Sequence, residues 1–199
     1  MSNIQSGFLA LALRQRFIKR WALMNSRNHE SVLEHTAVVA LLAYFAGELA
    51  RQSGKEVNVE RMMAHGLLHD TCEVLVQDLI SPVKNSNPRI AEEYRKLEIA
   101  AEQQLLSCAP DELKDCIQKG FVCDGYEGEL TKGVDIYSAY IQCRQECAAG
   151  NELEYGDALV KMEKLREEIC AKYPEINQLH QWFNAGLGQS VDQLLQPVK

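Results

Sequence analysis

Apolar residues at helical spacing run through nearly the whole chain, and that periodicity restricts it to an all-α fold. The clearest case starts at Ser31-Val-Leu-Glu34, where an acid three residues after a serine has the form of a capping box. Behind it, Val38, Val39, Leu41, Leu42, Phe45 and Leu49 cover most of a helix's circumference. Such wide coverage predicts a central helix, ended by Gly54. A second helix is expected from Val59 to about Leu75, ahead of a turn at Ser81-Pro82 and a polar breaker from Asn85 to Pro88. Ala91 to Cys108 reads as a long amphipathic helix with Tyr94, Leu97, Ala101 and Leu105 on one face. A short helix opens at Pro110-Asp111 and closes at Gly120. Further helices are expected over Glu129 to Ala149, Asp157 to Tyr173 and about Ile176 to Ala185. No alternating strand, internal repeat or low-complexity tract is apparent.

A chain of 199 residues, 46% hydrophobic, suits one domain with a full core. The net charge of -7 argues against extended binding to a nucleic-acid polymer, although a small phosphate ester can be neutralised locally. The seven cysteines form no Cys-x-x-Cys pair, the first residues lack the order of an export signal, and no apolar run reads as a membrane span. These features point to the reducing cytoplasm.

Four residues read as one metal site: His35, the adjacent pair His69-Asp70, and Asp135. The pair lies in Arg61-Met-Met-Ala-His-Gly-Leu-Leu-His-Asp-Thr-Cys-Glu73, where two consecutive ligand-type residues after apolar leucines are hard to explain as packing. On a helix, His69, Asp70 and Glu73 share one end and one side, so Glu73 stands beside the pair as an acid or base. His35, near the start of the preceding helix, meets them if the two helices are antiparallel. Asp135 is an acid inside an apolar helical stretch, and such an acid needs a partner if buried. An ion held this way can make a nucleophilic hydroxide from water at neutral pH.

The order His, His-Asp, Asp resembles the HD phosphohydrolase superfamily, and more closely the bacterial cytoplasmic 5'-deoxynucleotidases. The likeness runs from Arg20-Trp-Ala-Leu-Met24 through Glu34-His35, His69-Asp70-x-x-Glu73-Val-Leu75, Asp78-Leu79, Ser81-Pro-Val-Lys84 and Ile90-Ala-x-Glu-Tyr94. It continues to Asp135-x-x-x-Ala-Tyr140 and Glu146-x-Ala-Ala-Gly-Asn151. The resemblance implies a single compact HD-domain helical bundle over 1–199, with a metal-binding core over about 20–150 and C-terminal helices over about 151–190. It implies that His35, His69, Asp70 and Asp135 hold one divalent transition-metal ion, Mn or Co ahead of Zn, Ni, Cu or Fe. Glu73 matches the acid working on the attacking water or leaving group, with Asp70 sharing the proton handling. Arg20 matches the residue that orients the phosphate, and Trp21 the one that crowds the sugar 2' position. Asp78, Leu79, Ile80 and Ser81 line the substrate pocket, with His35, Asp70 and Asp135 also facing the nucleotide. The implied substrate is a deoxynucleoside 5'-monophosphate and the implied assembly a homodimer. Two segments depart from the family: Leu33 stands where members carry Ser, and Val76-Gln-Asp-Leu-Ile80 where they have Thr-Gly-Asp-Leu-Pro.

Plainer readings stand beside these. His65 lacks the following Glu of a zincin helix and reads as a core or pocket-edge histidine. His29 reads as solvated, His180 as part of an amphipathic face, Lys84 as a solvated lysine, and Lys161 to Glu168 as a solvated charged face. Two other functions use the same frame: an HD phosphodiesterase or alarmone hydrolase, and a nucleotide-sensing protein without turnover.

Overall fold

The computed structural model describes residues 6–84 and 86–196, apart from the side chains at 81 and 82, and every regular element among them is helical. Helix α1 (Phe8–Ala12) runs into a 3-10 turn, Leu13–Phe17. Then follow α2 (Val32–Gln52), α3 (Val59–Leu68), α4 (Glu73–Val76), α5 (Ser81–Lys84), α6 (Pro88–Ser107) and α7 (Asp111–Phe121). The chain continues through α8 (Gly125–Ala148), α9 (Glu152–Lys172), α10 (Pro174–Phe183), a 3-10 turn Gly186–Gly188 and α11 (Val191–Leu194). One antiparallel bridge, Lys19 with Ser31, clips the segment carrying Arg20 against the start of α2. In that clip the Arg20 N–H donates to the Glu30 carbonyl and the Val32 N–H to the Ile18 carbonyl, each at 3.0 Å.

The expected capping box opens α2: Ser31 Oγ accepts from the Glu34 N–H, and the Glu34 carboxylate accepts from the Ser31 N–H. The helix lies among α3, α8 and α10. Val39, Leu42, Ala43 and Ala46 of α2 join Met62 of α3, Leu130, Val134 and Tyr137 of α8, and Ile176 and Leu179 of α10 in the main core. By length and hydropathy α2 does qualify as a membrane span, against the sequence reading. Its apolar surface is half buried within the bundle, which accounts for that composition.

The approach of α3 to α2 depends on a glycine. A Cβ at Gly66 would stand 2.8 Å from the Ala40 Cα, so only glycine lets the backbones come this close. The crossing brings the end of α3 beside the start of α2.

Several boundaries correct the sequence reading. The helix expected over Val59 to Leu75 breaks after Leu68. The Thr71 and Glu73 amides bond three residues back, to Leu68 and Asp70, and the His69 imidazole lies on the Gly66 carbonyl, so residues 69–72 form tight turns. Gly120 does not end α7: it sits inside the helix, where a Cβ would strike the Leu68 side chain. The turn expected at Ser81-Pro82 is the helical turn α5; Asn85 lies outside the described residues, and Pro88 opens α6 behind the Asn87 cap. Pro174 both stops α9 and starts α10, a first-turn place for proline. On α6, Tyr94, Ala101 and Leu105 are buried as expected, but Leu97 is exposed.

Candidate metal centre

The α2–α3 crossing and the turn after Leu68 bring His35, His69 and Asp70 together, and α8 adds Asp135. A nitrogen from each imidazole and an oxygen of Asp135 lie within 4.8 Å of one another. His35 Nε2 is 3.0 Å from Asp135 Oδ1 and 3.5 Å from Asp70 Oδ2, and His69 Nε2 is 3.2 Å from Asp70 Oδ2. Both imidazoles are tied by their other nitrogen. His69 Nδ1 donates to the Gly66 carbonyl at 3.0 Å. His35 Nδ1 donates to Ser138 Oγ at 3.1 Å, which in turn donates to the Asp135 carbonyl. These bonds select the tautomer with a lone pair on each Nε2, as for metal-ligating histidines. Among the described residues both Nε2 atoms are buried and make no hydrogen bond, although carboxylate oxygens lie close by. Two lone pairs and two carboxylates therefore converge with no donor between them, a set that a divalent cation satisfies.

The electrostatics follow from that crowding. Burial opposes charge on His69, but the carboxylates of Asp70 and Asp135 outweigh it and push its pKa up to about 9, so its Nε2 lone pair takes a proton wherever no metal ion competes for it. Burial works against ionised Asp70 as well, yet His69 and Arg20 hold its pKa below the usual carboxylate range. For Asp135 burial wins and the pKa rises, against the pull of His69. Burial, helped by Asp70 and Asp78, pushes Glu73 up to about 9 against Arg20 and His69. Asp78 is also raised, by burial first, with Arg20 opposing. Glu73 Oε2 and Arg20 Nη1 are buried and, among the described residues, lack hydrogen-bond partners. A guanidinium near several carboxylates, with a free donor nitrogen, suits an anion brought in next to a metal.

Trp21 has φ of 58° and Gln77 φ of 66°, the left-handed region that favours glycine. Gln77 stands where the resembled family has Gly, and the Tyr94 hydroxyl donates to its carbonyl at 2.5 Å. The departure at 76–80 is thus a backbone matter. Leu79 and Ile80 are half-buried between α4 and α5, and the side chain of Ser81 lies outside the described residues.

An open cavity of about 800 Å³ reaches the centre at His69, Asp70 and Asp135. Its walls include Lys84, Arg95 and Glu98 together with Phe121 and Lys132. Arg20, Trp21 and Asp78 do not line it. Lys84 is more than a solvated lysine: it pairs with Glu98 at 2.8 Å and lies over the Tyr94 ring. His65 keeps to the pocket edge, its Nδ1 on the Gly120 carbonyl at 2.9 Å.

Sequence reasoning missed Ser138 and Glu30. Ser138 lies three residues after Asp135 on the same helical face, a spacing that could have revealed it. Glu30 is a single acid in a polar loop, and only the folded clip brings it to Arg20, Trp21 and His35.

The model of the YfbR-like 5'-deoxynucleotidase family matches residues 7–185. The chain belongs to this family. The chain is similar to the 5'-deoxynucleotidase of Vibrio atlanticus, 38% identical over 196 residues, which cover 96% of this chain and 98% of the relative. Another, from Salmonella paratyphi B, is 38% identical over 167 residues, 82% of this chain and 83% of its own. The bundle is similar to an HD-domain phosphohydrolase from Listeria innocua, with TM-score 0.77, 18% identity, and coverage of 90% of this chain and 87% of that one. It is also similar to a cyanophage S-2L HD phosphohydrolase bound to dA and one catalytic Zn2+ ion, with TM-score 0.62, 19% identity, and coverage of 91% and 96%. This 5'-deoxynucleotidase family member therefore has the all-α HD-domain fold that its sequence leads one to expect.

Proposed function

We propose that the chain hydrolyses deoxynucleoside 5'-monophosphates to the nucleoside and phosphate, using one divalent metal ion held by His35, His69, Asp70 and Asp135. The observation that carries this reading is the pair of Nδ1-tied imidazoles whose free Nε2 atoms meet two carboxylates beside an unpartnered Arg20 nitrogen. When bound, the ion supplies Lewis acidity toward a phosphate oxygen and a nucleophile at neutral pH. Arg20 receives the phosphate through Nη1 and holds it in line for attack. Glu73, kept neutral by burial, holds a proton to hand to the departing 5'-oxygen. Asp70, held ionised, accepts the proton that the attacking water loses. Trp21 closes the space beside C2', so that an added hydroxyl meets a ring that can neither move nor pair with it. Asp78, Leu79, Ile80 and Ser81 complete the sugar side, and the 800 Å³ cavity offers room for the base.

Two imidazoles and two carboxylates suit Mn, Fe, Co, Ni, Cu or Zn without choosing among them; on the family likeness we assign Mn or Co as the working ion, ahead of Zn, Ni, Cu and Fe. We place the protein in the cytoplasm, where its free cysteines stay reduced. The packing of α9 and α10 back onto α8 and α2 supports one functional unit over 1–199. The assembly is a homodimer; an exposed aromatic patch of Tyr44, Phe45, Trp182 and Phe183 gives a second copy an apolar face to cover. Sedimentation of the purified protein checks that assignment, a dimer being expected.

The activity test is phosphate release from each deoxynucleoside 5'-monophosphate and its ribose counterpart, with Mn, Co or Zn added. Release is expected from the deoxy compounds, and more slowly from the ribose ones. No release with any divalent ion contradicts the proposal.

A further inference from the structure

Trp21 poses a local problem that its own sequence neighbourhood does not solve. A bulky aromatic residue at φ 58° occupies a sparsely populated backbone region, and something outside the residue must hold it there. Two contacts do so. Its ring tilts against Tyr155 with centroids 5.6 Å apart, and its indole Nε1–H donates to Glu30 Oε2 at 3.1 Å. The same Glu30 oxygen lies 3.7 Å from Arg20 Nη1, and the other oxygen lies 3.9 Å from His35 Nδ1. The Glu30 side chain is only 9% exposed. Its backbone carbonyl also accepts from the Arg20 N–H, so main chain and side chain both hold Arg20. The Glu30–Arg20 contact is too long for a hydrogen bond and leaves Nη1 without a partner. Glu30 thus restrains the guanidinium by charge while its donor stays free for an incoming anion.

We infer that Glu30 is a positioning residue for sugar discrimination: one buried carboxylate fixes the Trp21 indole in its left-handed pose and holds Arg20 beside it. The inference rests on the reading of Trp21 as the wall against the sugar 2' position. Without Glu30 the indole N–H loses its acceptor, the segment relaxes toward ordinary backbone angles, and the ring leaves the place where it meets a 2'-hydroxyl. Turnover of the ribonucleotide then approaches that of the deoxyribonucleotide.

The experiment compares kcat/KM for 2'-deoxyadenosine and adenosine 5'-monophosphate in the metal-supplemented full-length protein and in Glu30→Ala, Glu30→Gln, Trp21→Ala and Trp21→Phe. Far-UV circular dichroism and melting of each variant run alongside. The deoxy-to-ribo ratio is expected to fall about tenfold in Glu30→Ala and in Trp21→Ala. Trp21→Phe, which keeps a ring but has no N–H, lowers it in the same direction. Glu30→Gln keeps an oxygen for the indole and holds the ratio within about twofold of the wild type, well inside the expected fall. The Glu30→Ala/Trp21→Ala double variant shows no fall beyond the larger single one, because both act through one ring. A ratio unchanged in Trp21→Ala removes the sugar-wall reading and this inference with it. A ratio that falls in Trp21→Ala but stays in Glu30→Ala overturns the inference alone. Should Glu30→Ala fail to fold, an unchanged ratio in Trp21→Phe overturns it equally.

Discussion

Two carboxylates, half-buried Glu73 at the candidate metal centre and fully buried Glu146 at the far end of α8, share a side chain and little else. Glu146 is fully buried and accepts from the Arg27 amide at 2.9 Å, the Asn28 amide at 2.6 Å and Asn151 Nδ2 at 2.6 Å. Burial alone would raise its pKa, but these donors win and hold it below the ordinary value. Glu73 sits among acids with one buried oxygen unpartnered, and is pushed up to about 9. The fold supplies donors where an acid pins the loop after Trp21 to α8, and withholds them at Glu73, which the proposed mechanism uses to exchange a proton. The same contrast separates a structural polar cluster from a working one.

The largest effect expected is at the working end. His69→Ala removes a proposed ligand outright, and activity should fall by more than about a hundredfold, beyond the usual loss for an outer-shell change. Phosphate release across a metal titration checks this, and substantial activity at saturating metal would break the comparison. Glu73→Gln should lower kcat by about 10²- to 10⁴-fold while the melting temperature holds or rises, since an unsatisfied buried acid is removed. Glu146→Ala should do the reverse. It strands the Arg27 and Asn28 amides and costs about 3–5 kcal/mol in denaturant unfolding, with kcat per folded molecule unchanged.

The smallest effect is in pH. The folded pKa of Glu146 lies below its unfolded value of about 4.3, so its contribution to stability is complete above that pH and fades as pH falls through the folded value. Acid unfolding of Glu146→Gln should accordingly show a shallower decline in stability below about pH 4.3 than the wild type. An identical decline in the two proteins would mean that another carboxylate controls the acid limb.

That His35, His69, Asp70 and Asp135 converge was legible because imidazoles and carboxylates in apolar helical stretches are costly to bury without a partner. The central helix was legible from its cap and its apolar coverage. What stayed hidden depends on where loops return. Glu30 and Gln77 carry no local signature: one matters through partners on a backbone clip, the other through a φ of 66° under the Tyr94 hydroxyl. The break after Leu68 was hidden for a related reason. Periodicity continues through residues 69–73, while the His69 imidazole and three-residue amide bonds tighten the backbone locally. Gly120 misled in the opposite sense, since a glycine near a helix end can serve packing as readily as termination.

The most direct test of the metal reading is anomalous diffraction at the cobalt edge from crystals grown with cobalt. One scatterer is expected about 2.0–2.2 Å from Nε2 of both His35 and His69, with Asp70 and Asp135 oxygens completing its shell. A cobalt ion bound elsewhere while the two imidazoles stay unligated would contradict it.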